Sequence, residues 1–154
     1  MPDPKGINTA FVGKALPPTA PYRVGREKIR EFALAIGEGA SVCLDVGAAR
    51  AAGHPDVVAP PTFTVTFTMP VIEAFLRDPA FGWDYLRMVH GDQSITLHRP
   101  IHGGDDLVTT VHVDDLKTRG GSHMLTLRCE VADAGGDAVA TTRLLLVTAA
   151  EEPS

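Results

Sequence analysis

The chain has 154 residues, 44% of them hydrophobic, enough for one domain with a sizeable core and too few for two ordinary ones. A formal net charge of −5 and a pI near 5.6 leave no electrostatic footprint for nucleic acid, which calls for a clustered basic surface. Cys43 and Cys129 form no C-x-x-C pair and are too few for a disulfide framework or a zinc knuckle, so both are expected as free thiols.

Residues Met1 to Thr9 read as a frayed tail, residues 10–150 as a single domain, and 151–154 as a second tail. The opening "MPDPKGINTAFVGK" lacks a basic segment followed by an apolar run and a cleavage site, and no stretch approaches the ~18 apolar residues of a membrane span. A cytoplasmic protein is expected. "AFVGKAL" has the texture of a short first strand, and the prolines of "LPPTAPY" (Leu16 to Tyr22) forbid helix and central strand. From Arg26, "REKIREFALAIGE" sets Ile29, Phe32, Ala33 and Ile36 at i, i+3, i+4 and i+7, the apolar stripe of an amphipathic helix.

After the segment "GEGASVCLD" (Gly37 to Asp45), "DVGAARAAG" offers Asp45 as an N-cap, good helix formers, and Gly53 as a stop. "PTFTVTFTMPVIEAFLRDP" (Pro61 to Pro79) is ambiguous: its Thr, Val and Phe favour strand, whereas "PVIEAFLRD" reads as helix with proline in the first turn. A long apolar helix across a curved sheet would resolve it.

Beyond Leu86 the pattern alternates in "LRMVHGDQSITLHRP", "DDLVTTVHVDDLKT", "SHMLTLRCEVAD" and "DAVATTRLLLVTAA", which predicts four strands. His123, Leu125, Leu127, Cys129 and Val131 fall on one face of the third, and Leu107, Thr109, Val111 and Val113 on one face of the second. "TRGGSH" and "DAGGDA" have hairpin length, so the last three strands should run as an antiparallel meander. Helices first and strands later indicate α+β.

Three ordered blocks, "YRVGREKIREFALAIGE", "ARAAGHPDVVAPPTF" and "VHGDQSITLHRPIHGGDDL", together resemble the MaoC-like hot-dog proteins, specifically the N-terminal-type or FAS1-like dehydratase domain. The resemblance spans Phe11 to Ala149. It implies a hot-dog fold, an antiparallel sheet wrapped around a central helix, pairing into homodimers or into heterodimers with another MaoC-like subunit. The implied chemistry is reversible addition of water to an enoyl thioester of coenzyme A or acyl carrier protein, giving the (R)-3-hydroxyacyl thioester. No cofactor is implied.

Such a site needs a base to activate water at the β-carbon and donors for the enolate-like oxygen. The family supplies them from a loop resembling G-D-x-N-P-[IL]-H-x-D and from a glycine N–H at the start of the central helix. Here Gly37 and Asp45 match the ends of that loop, while Glu38 stands for the Asp, Ala40 for the Asn, Ser41 for the Pro and Cys43 for the His. "VAPPTF" places Pro61, which has no N–H, where the glycine donor is expected, and the resemblance makes Ala59, Pro60, Pro61, Thr62 and Phe63 substrate-facing.

Each candidate also has a plain structural role. Cys43, a nucleophile or Michael donor in one reading, is in the other a small apolar residue lining the acyl-thioester tunnel that the resemblance implies at the dimer interface. Glu38 is an acid/base candidate on a longer arm, or a solvated carboxylate at a helix end. His54 is a proton shuttle or a loop histidine satisfying backbone groups. By period 2, His90, Asp92 and His98 share one strand face, and with His102 they form either a replacement acid/base cluster or part of a sheet or dimer surface. Asp105, Asp106, Asp114 and Asp115 have no histidine at metal-ligand spacing and are expected as surface carboxylates, with no metal. Arg26 and Lys28 would meet a carrier phosphate or stay solvated.

The favoured function is therefore a hydratase/dehydratase subunit with a degenerate acid/base loop, holding substrate beside a catalytic MaoC-like partner in fatty-acid or polyketide metabolism. The alternatives are a homodimer with re-purposed chemistry on an unsaturated thioester (conjugate addition, elimination or thioester hydrolysis) and a non-catalytic ligand-binding module.

Overall fold

A computed structural model describes residues 6–150. The two expected tails therefore fall mostly outside the described residues, 1–5 at one end and 151–154 at the other. Residues 7–9 do not fray: Asn8 N–H donates to Phe81 O at 2.8 Å, its side chain caps a 3-10 turn at Thr9–Phe11, and Ile7 packs on the core. The apolar side chains of Ile7 and Phe11 hold them down.

Five strands form one antiparallel sheet: β1 (Tyr22–Arg23), β2 (Val89–Leu97), β3 (Asp106–Arg119), β4 (Ser122–Asp133) and β5 (Ala138–Ala149), in the order β1-β3-β4-β5-β2. The last three strands form the expected meander. Gly120 and Gly121 turn β3 into β4 with φ of 58° and 72°, the two positive angles that a two-residue hairpin demands. The expected strand in "AFVGKAL" reduces to one bridge, Ala15 to His112. Gly13, Leu16 and Thr19 nevertheless donate to carbonyls of β3, so this proline-broken segment covers the sheet edge without becoming a full strand.

The helices are α1 (Arg26–Ala35), α2 (Ser41–Leu44), α3 (Val46–Ala51) and α4 (Val65–Leu76). The ambiguous segment is the central helix, preceded by a 3-10 turn at Pro61–Thr64. Helix α4 starts at Val65 instead of Pro70, so Pro70 lies in its interior. Tertiary burial overrides strand propensity here, because Phe67, Ile72, Phe75 and Leu76 are all buried. Thr66 and Thr68 turn their hydroxyls back onto the carbonyls of Phe63 and Thr64, which lets β-branched polar residues sit in a buried helix.

The sheet curls around α4 and divides the core along its length. The C-terminal half of α4 packs on Val111, Val113, Leu125, Leu127, Leu144 and Leu146 together with Phe81 and Trp83. Phe63 and Phe67 meet Leu107, Val131, Val139 and Ile29 of α1 at the other end. Ile36, expected on the buried stripe of α1, is instead its C-cap and half exposed, since the helix ends at Ala35, one residue before it.

Candidate acyl-thioester cleft

The chain leaves α1 through paired bonds: Gly37 N–H donates to Leu34 O at 3.2 Å and Glu38 N–H to Ala33 O at 2.8 Å. Gly37 takes φ +74°, the left-handed geometry this C-cap needs. That turn fixes Glu38, whose Oε1 accepts from Ala40 N–H at 2.9 Å. The segment expected as a loop then forms the single helical turn α2, burying Cys43. Asp45 caps α3 by accepting from Ala48 N–H at 2.7 Å, as its position predicts.

Val58 N–H donates to Val42 O of α2 at 2.9 Å, and Ala59 N–H to Ile101 O at 2.8 Å. These bonds bring the approach to α4 between α2 and the exit of β2. A cleft of about 420 Å³ opens there, lined by Glu38, Cys43, Val58, Ala59, Pro60, Pro61, Leu97, His98, Arg99 and Pro100. Its volume is in the range of small-molecule sites.

Six of the ten residues singled out for the site thus share this cleft: Glu38, Cys43, Ala59, Pro60, Pro61 and His98. Thr62 is exposed outside it, and Phe63 is fully buried against the Phe32 ring at 5.6 Å and the Phe67 ring at 6.1 Å. Phe63 is a core anchor and does not line the cleft.

The His90/Asp92/His98 grouping does not form. The register shifts at Gly91, so His90 pairs with Leu146 and Asp92 with Leu145, neighbours that face opposite sides of the sheet. His98 does share the outer face with Asp92, but lies six residues further on, roughly 20 Å along a strand. Its Nε2 is 2.9 Å from Thr141 Oγ1.

The cleft's electrostatics set what it can do. Burial pushes the Cys43 thiol above its ordinary pKa, and the Glu38 carboxylate pushes it further the same way. The thiol stays protonated at neutral pH and does not replace an imidazole base. Arg99 is paired with Asp105 at 2.9 Å and Asp133 at 3.6 Å, so its charge is balanced within the wall. Pro60 and Pro61 offer no N–H, which leaves Thr62 with the first backbone donor of the turn.

Arg99 and Leu97 escaped the sequence reading. Their signal was "TLHRP", where an alternating strand runs into a proline and its last side chains reach the neighbouring segment. Among the described residues, no group of three or more His, Cys, Asp or Glu could hold a metal ion, and no helix is long and apolar enough to cross a membrane.

Residues 10–142 match the family described as FAS1-like, dehydratase domain region. A UPF0336 protein of Saccharopolyspora erythraea is 49% identical over 149 residues, covering 96% of either chain. Among solved structures, a MaoC-like dehydratase is 31% identical with a TM-score of 0.84, over 92% of this chain but 43% of that one. This chain therefore spans less than half of that protein. The HadBC (3R-hydroxyacyl-ACP dehydratase) complex of Mycobacterium tuberculosis matches at 26% identity and a TM-score of 0.76, over 89% of this chain and 96% of the matched chain. With the curled sheet, the central helix and the cleft at its N-terminus, these likenesses lead to one conclusion: the chain belongs to the FAS1-like dehydratase domain family of MaoC-like hot-dog proteins.

Proposed function

We propose that this chain is the substrate-holding subunit of an (R)-specific enoyl-thioester hydratase/3-hydroxyacyl-thioester dehydratase, paired with a catalytic MaoC-like subunit in fatty-acid or polyketide metabolism. One observation carries the reading. The three positions that the resemblance aligns with the acid/base pair and the oxyanion donor, Glu38, Cys43 and Pro61, all line the same cleft, and its thiol is held protonated. The cleft has mostly apolar walls but no imidazole at position 43 and no N–H at position 61. The likeness to a chain of the two-component HadBC dehydratase supports a paired assembly.

In the forward reaction the hydroxyl adds at the β-carbon and a proton at the α-carbon of the enoyl thioester, as negative charge builds on the thioester oxygen. The partner would supply the acid/base pair and the oxyanion donor. This chain would bury acyl carbon against Val58, Ala59, Pro60 and Leu97. Hydration of crotonyl-CoA, followed by loss of the enoyl absorbance, tests the division of labour. The purified chain alone is expected to be inactive, and a mixture with the MaoC-like subunit encoded beside it active.

Glu38 favours a second reading, a homodimer with its own chemistry on an unsaturated thioester, because this carboxylate still faces the cleft. Turnover by the isolated chain that is lost in Glu38→Ala would establish it.

A further inference from the structure

Two histidines far apart in sequence meet behind the cleft wall. His54 Nδ1 lies 3.1 Å from His102 Nε2, and both rings are part-buried. His54 follows Gly53, where α3 stops, and His102 sits in a short two-stranded ribbon. In that ribbon Val58 bridges to His102, Ala59 N–H donates to Ile101 O at 2.8 Å, and Gly103 N–H donates to Val57 O at 3.0 Å. The ribbon runs directly into the cleft wall at Val58–Pro61 and Pro100.

The charges around the pair are already committed. Asp56 binds Arg26 of α1 through two bonds of 3.0 and 2.7 Å. Asp105 accepts from Arg99 at 2.9 Å and from His102 N–H at 2.9 Å. Arg50 of α3 donates to Pro55 O at 3.3 Å. Both carboxylates are thus already engaged by guanidinium groups.

We propose that His54 and His102 form a proton-operated latch on the cleft wall, closed while the two rings share a hydrogen bond and open once both are cationic. When neutral, one ring donates and the other accepts; one added proton keeps the bond and strengthens it. A second proton leaves two donors and no acceptor, with like charges at contact distance. The rings must then part, freeing the ribbon from the end of α3. Burial holds His102 below its ordinary pKa, with His54 and Arg99 acting the same way and Asp105 and Asp56 opposing. The latch is thus closed at neutral pH. It stands independently of what the cleft binds.

Amide hydrogen exchange of the full-length chain tests this without any substrate. Rates at Ala59 and Gly103 are compared, at each pH from 8 to 5, with intrinsic rates and with β4–β5 ladder amides. Protection at these two amides is expected to fall about tenfold more than in the ladder as pH drops. In His54→Gln and His102→Gln, which keep hydrogen-bonding groups but do not titrate, that extra fall should vanish. Asp56, held near pKa 2, stays ionised throughout, so its bond to Arg26 cannot produce the effect. Equal pH dependence in the wild type and both variants, or no extra loss at Ala59 and Gly103 in the wild type, overturns the proposal.

Discussion

Cys43 and Cys129 are both buried thiols, but they differ in setting. Cys129 lies in the sheet core, where burial raises its pKa to about 11, whereas Cys43 lies under the cleft beside Glu38. Neither presents a thiolate at neutral pH, so neither should react with a disulfide reagent in the native protein. A titration with such a reagent at pH 7 is expected to show slow labelling that becomes complete only on unfolding. Fast labelling of Cys43 in the native state would give it the nucleophilic role. Glu38 is the residue at which sequence reading and structure meet most closely. The family resemblance, which aligns it with the loop's acidic position, marked it as an acid/base candidate, and the C-cap geometry of Gly37 sets it on the cleft. Arg99 was missed because its role depends on two carboxylates, Asp105 and Asp133, brought to it by strand pairing that no local pattern reports.

Among the elements, α4 carries the fold. Phe63 is fully buried where α4 meets α1, so Phe63→Ala should cost about 3–5 kcal/mol in urea unfolding. Pro70 removes an interior helix hydrogen bond, the one that would reach Thr66 O. Pro70→Ala should therefore raise stability by about 1–3 kcal/mol, read as a higher urea midpoint at an unchanged slope. A lower midpoint would mean that the sheet requires the bend proline imposes. The four strands were legible because one buried face makes alternation strict: in β4, Leu125, Leu127, Cys129 and Val131 are all buried. In β2 alternation misled. The bulge at Gly91 leaves no mark beyond the glycine itself, and it sends His90 and Asp92 to opposite faces. The opposite failure occurred at Pro61–Leu76, where β-branched residues suited strand and only enclosure by the sheet makes them helix.

For the whole molecule, the His102 shift makes stability depend on pH. Its folded pKa is lowered, so the unfolded chain binds more protons as pH falls below about 6.5. The contribution is complete above that value and is lost progressively as pH falls toward the folded pKa. The thermal midpoint should drop between pH 7.5 and 5.5, and His102→Gln should flatten part of that slope. An unchanged slope would place the pH dependence elsewhere. At this scale the hot-dog architecture was legible from three blocks spread along the chain, whereas the convergence of Glu38, Cys43, Pro61 and His98 on one cleft required coordinates. The central claim is that this cleft holds a thioester without performing the acid/base step. Its most direct test is the kcat for crotonyl-CoA hydration by the reconstituted pair, with this chain either wild type or carrying Glu38→Ala and Cys43→Ala together. The account predicts a kcat within about threefold of wild type, whereas a loss of about 10²–10⁴-fold, the scale of a missing general acid or base, would contradict it.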